Sequence, residues 1–167
     1  MKAGAAWGRL DLLVNGASVF QPTPGGGRPG EWERMTKVNA MAPYFLSRAL
    51  GPLLAEHRGS IVNLVDTYAD HPVLPDHPAY LASKAALAAL TRVLALELAP
   101  KVRVNGVSPG AVTFPDSYSK NRRTALAQKS LLRREGSPGD IAEAILYLAG
   151  ANFTTGEVLR VDGGRFI

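Results

Sequence analysis

Four short apolar runs separated by three helical stretches set what this 167-residue chain can fold into. The runs are Leu10 to Val14, Ser60 to Val65, Val102 to Val107 and Glu157 to Val161. Each is bounded by Gly, Pro, Asn or Asp, as in Asn15-Gly16, Asp66, Pro109-Gly110 and Asp162-Gly163-Gly164. Runs of this length and apolarity read as strands buried on both faces. Between them, Glu31 to Leu54 reads as a helix, with Pro43 a kink and Gly59 a stop. Tyr80 to Ala99 is a second, rich in Ala and Leu and closed by Pro100. Asp140 to Leu148 is a third, with Ser137 as N-cap and Pro138 at its first position. Residues 113–137 are polar and basic, a loop with a short helix around Tyr118 to Leu131. Strands alternating with helices predict a single α/β domain built on a parallel sheet.

Composition excludes several function classes. With 46% apolar residues the chain is globular and not disordered, and without cysteine it has neither disulfides nor thiolate metal sites. The charge of +5 is spread over scattered positions such as Arg122-Arg123, Arg133-Arg134 and Arg165. A solvated surface accounts for these better than nucleic acid does; a basic cleft for an anionic cofactor is the other option. No stretch reaches the roughly 18 uncharged apolar residues of a membrane span. Arg9 and Asp11 interrupt any signal-peptide core, so the cytoplasm is the expected address. Gly25-Gly26-Gly27-Arg28-Pro29-Gly30 spells a phosphate-loop pattern, but it lies well past the strand and contains Pro29, so it reads as a loop. Asp70-His71-Pro72 and Asp76-His77-Pro78 read as turns, not as a metal site.

The chemistry collects at the carboxyl ends of the strands, where parallel sheets bind ligands. Tyr80 and Lys84, four residues apart, share one face of their helix. A phenol titrates near pH 10, and a neighbouring ammonium is expected to bring it closer to useful proton transfer. Asn15 to Phe20, Asp66 and Pro109-Gly110 converge on the same end of the sheet.

Together these stretches resemble the C-terminal part of a short-chain dehydrogenase/reductase. The matching segments are Leu13-Val14-Asn15-Gly16-Ala17-Ser18, Val38-Asn39-Ala40, Tyr80-x-x-x-Lys84, Val104-Asn105-Gly106-Val107-Ser108-Pro109-Gly110 and Val161-Asp162-Gly163-Gly164. The resemblance implies a Rossmann-like doubly wound sheet and an oxidoreductase using a nicotinamide cofactor. It makes Tyr80 the proton donor, Lys84 the group that lowers its pKa and holds the ribose, and Asn39 part of a water relay. Asn15, Ala17, Ser18 and Pro109-Gly110 would lie near the cofactor. Read from the residues alone, Asn15 could instead cap a strand end and Asn39 be a surface amide.

Two details resemble the pteridine reductase branch. That branch carries an aspartate where most relatives have a serine, which favours Asp66 while leaving Thr67 open. A buried carboxylic acid could donate to a ring nitrogen or pass a proton to Tyr80. The loop Asn15-Gly16-Ala17-Ser18-Val19-Phe20-Gln21-Pro22 would let Phe20 stack on a flat heteroaromatic substrate, although a loop aromatic tucked into the core is the plainer reading. The family begins with a strand, a Gly-rich turn and a helix that receives the pyrophosphate. The likeness starts after that unit, so the chain reads as an N-terminally truncated member whose first strand lies on an open edge. The residues choosing NADPH over NADH would then lie outside it. The expected function is NADPH-dependent reduction of a pteridine by a homo-oligomer, dimer or tetramer. The alternatives are a general 3-oxoacyl or carbonyl reductase, and a silent remnant acting only by association.

Overall fold

The computed structural model describes residues 8–114 and 118–167. Strands β1 (Leu12–Asn15), β2 (Ser60–Leu64), β3 (Arg103–Pro109) and β4 (Val158–Val161) pair in that order into one parallel sheet. In register, Leu13 lies beside Ile61, Ile61 beside Val104, and Gly106 beside Val158. All four expected strands are present. β3 runs further than expected, to Pro109, where proline is tolerated as the last strand residue. β1 occupies an edge of this sheet, and Val14 on it is 40% exposed.

The helices are α1 (Pro29–Thr36), α2 (Ala42–Glu56), α3 (Pro78–Leu98), α4 (Lys120–Ala127) and α5 (Pro138–Gly150). A π-helical turn, Lys37–Met41, joins α1 to α2, so the two form the long helix expected over Glu31 to Leu54. The irregularity falls just before Pro43. That proline has no N–H to give the carbonyl of Asn39. The Ala42 N–H reaches back five residues to the Lys37 carbonyl, and the turn widens. At α5 the expected cap is present: Ser137 Oγ accepts from the Asp140 N–H, and the Asp140 carboxylate accepts from the Ser137 N–H at 2.6 Å.

Alternate residues of β2 serve opposite faces of the sheet. On one face Ile61 and Val104 pack with Leu54 of α2 and Leu94 and Ala95 of α3. On the other, Val62 and Val107 pack with Ile141 and Leu148 of α5. Helices on both faces make the sheet doubly wound, the Rossmann-like arrangement expected from the sequence. By length and a mean hydropathy of 1.4, α3 would suffice to cross a membrane. Leu87, Ala88, Leu94 and Ala95 of α3 are instead buried in the cores on the sheet.

Polar groups are buried in mid-sheet as well. Asn63 of β2 is fully buried; its Oδ1 accepts from Asn15 Nδ2 at 2.8 Å, and its Nδ2 donates to Thr91 Oγ1 at 2.9 Å. Asn15 Nδ2 also donates to Ser47 Oγ at 3.1 Å. The two amides thus tie β1, β2, α2 and α3 together. Asn63→Ala would strand the Asn15 donor and leave a void, and is expected to cost about 2–3 kcal/mol in urea unfolding. A change within about 0.5 kcal/mol, as for an ordinary surface substitution, would show that the network adds nothing.

Candidate active site

The carboxyl ends of β2 and β3 open into a cavity of about 680 Å³. Asp66 enters it directly after β2, as N-cap of the single 3₁₀ turn Thr67–Ala69. Tyr80 and Lys84 enter from the first turns of α3, and Pro109-Gly110 from the end of β3. Ser18 and Phe20 line it from the loop after β1. The shared face expected for Tyr80 and Lys84 is therefore present.

Of the two candidates beside Tyr80, the structure sets Asp66 against it. The Tyr80 hydroxyl donates to Asp66 Oδ2 at 2.5 Å. The Tyr68 N–H donates to Asp66 Oδ1 at 2.8 Å. Thr67 is buried and its hydroxyl donates to the Pro109 carbonyl at 3.1 Å, which removes it from the contact.

Lys84, 3% exposed, donates from Nζ to the Leu64 carbonyl at 2.8 Å, and Nζ lies 5.9 Å from the Tyr80 ring centre. Burial brings the Lys84 pKa down to about 8, with the Asp66 carboxylate acting in the opposite sense. The Tyr80 pKa moves the other way from the sequence expectation. Burial raises it first, and the charge and hydrogen bond of Asp66 raise it further. A phenol donating to a carboxylate holds its proton, and the ammonium does not reverse that here. Asp66 itself is pushed up by burial, against the hydrogen bonds from Tyr80 and Tyr68 and the Lys84 charge.

Asn39, in the π-helical turn, is fully buried and its amide is fully engaged. Oδ1 accepts from the Val19 N–H at 2.7 Å and from Ser18 Oγ at 3.2 Å. Nδ2 donates to the Val19 carbonyl at 2.9 Å and to Ser83 Oγ at 3.0 Å. The side chain therefore clamps the Ser18–Val19 segment and has no capacity left for a water. Neither the Asn15 side chain, held in the sheet network, nor the exposed Ala17 lines the cavity. Gly110 has a steric reason to be glycine: a Cβ there would sit 2.6 Å from Asp162 Cα.

Phe20 is neither buried in the core nor isolated. Its ring stacks on His77 at 4.6 Å and meets Tyr80 edge-on at 4.7 Å. Sequence reading missed Tyr68 and the Phe114–Tyr118 pair on the opposite wall, all lining the cavity. Tyr68 could have been flagged by standing two residues after Asp66; the other wall depends on how α4 folds back. The Gly25 to Gly30 stretch starts ten residues after β1 ends, within the 3₁₀ turn Pro24–Gly26, and its Pro29 and Gly30 already belong to α1; the separation from the strand is not that of a strand-to-helix phosphate cradle. Among the described residues no three metal-ligating side chains cluster; His77 stacks on Phe20 and His71 on Phe166.

The family model described as enoyl-(acyl carrier protein) reductase matches residues 1–165. The chain belongs to the short-chain dehydrogenase/reductase family, and it is similar to the pteridine reductase branch. Pteridine reductase 1 of Leishmania tarentolae is 39% identical, over 95% of this chain and 63% of that protein. Dihydromonapterin reductase of Klebsiella pneumoniae is 36% identical, over 92% of this chain and 65% of that protein. Cyclopentanol dehydrogenase of Comamonas testosteroni is 34% identical, over 93% of this chain and 66% of that protein. The chain thus spans just under two thirds of the length of these curated relatives.

The shifted groups give stability a defined pH dependence. The folded pKa of Asp66 lies above its unfolded value, so between the two the unfolded chain releases a proton that the folded chain keeps. Stability therefore falls as pH rises through that window. Lys84 is the reverse: between about pH 8 and 10.5 the folded form is neutral and the unfolded form charged, so stability rises with pH. Asp66→Asn should remove the first slope and Lys84→Met the second, read as urea midpoints from pH 4 to 10. Unchanged slopes in both variants would exclude these groups as the cause.

Proposed function

We propose that this site reduces the C=N bond of a pteridine-type ring with NADPH. What supports the reading is the Asp66–Tyr80 contact at 2.5 Å beside the exposed ring of Phe20, together with the likeness to two pterin reductases. The residues present fit the nicotinamide end of such a cofactor. Lys84 Nζ supplies a donor and Ser18 Oγ an acceptor for ribose hydroxyls, while Val112, Ile141 and Ile145 offer an apolar wall along Pro109-Gly110. When bound, NADPH would supply the hydride that goes to the ring carbon.

The chain's own residues manage the proton. The Tyr80 hydroxyl gives its proton to the ring nitrogen as the nitrogen gains charge. Asp66, pushed toward its neutral form by burial, passes its own proton across the 2.5 Å contact to the Tyr80 oxygen, and Lys84 balances the carboxylate charge left behind. Phe20 presents a flat face to the ring, and Asn39 holds the segment from which Phe20 projects. Asn15 acts on the sheet and not on the ligand. Apolar side chains exposed on α2 and α3, among them Phe45 and Leu96, support homo-oligomerisation through those helices.

With NADPH, a dihydropterin should be turned over faster than a 3-oxoacyl thioester. Tyr80→Phe should lower kcat/KM by ~10²–10⁴-fold through loss of proton transfer. Phe20→Ala should weaken pterin binding by about 1 kcal/mol, the scale of one ring-stacking contact. Preference for the thioester, with Phe20→Ala silent, would favour a general carbonyl reductase instead.

A further inference from the structure

We propose that Phe166, in the tail after β4, is a positioning residue for Asp66: it clamps the Thr67–Ala69 turn from outside the cavity. The tail is folded back by Asp162, whose Oδ1 accepts from the Gly164 N–H at 2.9 Å and whose Oδ2 accepts from the Phe166 N–H at 3.2 Å. The Phe166 ring then stacks on His71 at 4.5 Å with a 9° tilt, and meets Tyr68 edge-on at 5.9 Å. Arg165 completes the clamp: its guanidinium lies 5.6 Å from the Tyr68 ring centre, and Nη1 donates to the Leu126 carbonyl of α4 at 3.2 Å.

These contacts grip both ends of the segment that carries Asp66. Tyr68 donates its N–H to Asp66 Oδ1, and the His71 N–H donates to the Thr67 carbonyl at 3.2 Å. A single 3₁₀ turn does not hold its own geometry, since so few hydrogen bonds close it. Among the described residues Tyr68 and His71 have no ring partner other than Phe166. Without that ring, Tyr68 is free to swing out and water can reach the Asp66 carboxyl. The groups facing Asp66 are Tyr80 and Lys84 from α3 and Tyr68 from the turn; Arg165 and Tyr118 act on Tyr68 from one layer further out.

The proposal deepens the reading of Asp66 as proton donor and rests on it. The test uses the whole chain with ¹³C-labelled aspartate, assigning Asp66 by its loss in Asp66→Asn, and compares Phe166→Ala, Phe166→Leu and Phe166→Tyr. In the first two, the Asp66 titration should move down toward the ordinary carboxylate range. Their kcat for dihydropterin reduction at neutral pH should fall about tenfold, one pH unit of lost proton occupancy, with KM little changed. Phe166→Tyr, which keeps the stack, should restore both. If Phe166→Ala does not fold, the Leu and Tyr variants decide. An Asp66 titration unmoved in Phe166→Leu, or moved equally in Phe166→Tyr, would overturn the proposal. A wild-type chain that binds no pterin, yet shows the Asp66 shift, would sink the substrate reading and leave the positioning role standing.

Discussion

Desolvation is the constraint on which the rest of this site depends. A carboxyl, a phenol and an ammonium share one cavity, and burial pushes each toward its uncharged form. Asp66 and Tyr80 hold protons more tightly than in water, and Lys84 holds its proton less tightly. Asp66 and Lys84 can therefore be both charged or both neutral at the same local charge, and the two states differ by the location of one proton. Burial that favours the neutral carboxyl suits a group proposed to give up a proton. It also explains why Tyr80 is not simply activated by Lys84: the hydroxyl is bonded to a carboxylate, which favours the phenol over the phenolate.

Such a site needs its strands and helices in one register, and an apolar parallel sheet specifies register weakly. Strands covered on both faces carry apolar residues at consecutive positions, so a slip by one residue exposes little. Ser60–Leu64 has this character: residues on both of its faces are buried. Asn63 removes that freedom. Its amide finds partners on β1 and α3 only when Asn15 and Thr91 are level with it. A shifted strand would leave a buried amide unpaired, a penalty that apolar packing cannot offset locally.

The alternation of apolar runs and helices made the fold legible, because burial on both faces leaves a mark in every strand. The same holds for the cap of α5, where Ser137 and Asp140 are only three residues apart. Tyr80 and Lys84 were legible as neighbours because helical spacing is local, whereas their protonation was not. The direction of the Tyr80 shift depends on Asp66, fourteen residues earlier in sequence and brought alongside by the end of β2. Asn15 and Asn39 were read as cofactor and relay residues, yet their amides are taken up by partners 20 to 48 residues away. Phe166, Tyr68 and His71 come together only when the tail folds back, and no local pattern announces that.

The kink in the long helix links the last of these levels. Pro43 denies the Asn39 carbonyl its usual partner, and the chain responds with a π-helical turn at Lys37–Met41. A wider turn rotates the residues within it relative to a regular helix. The one buried amide of that turn, Asn39, meets the Ser18–Val19 backbone and the hydroxyl of Ser83 at once. Ser83 in turn donates to the Tyr80 carbonyl at 2.7 Å, in the first turns of α3. A proline four residues beyond an asparagine thus reaches both the loop that carries Phe20 and the helix that carries Tyr80. Those two rings meet edge-on in the cavity because each backbone is fixed to the same amide cluster.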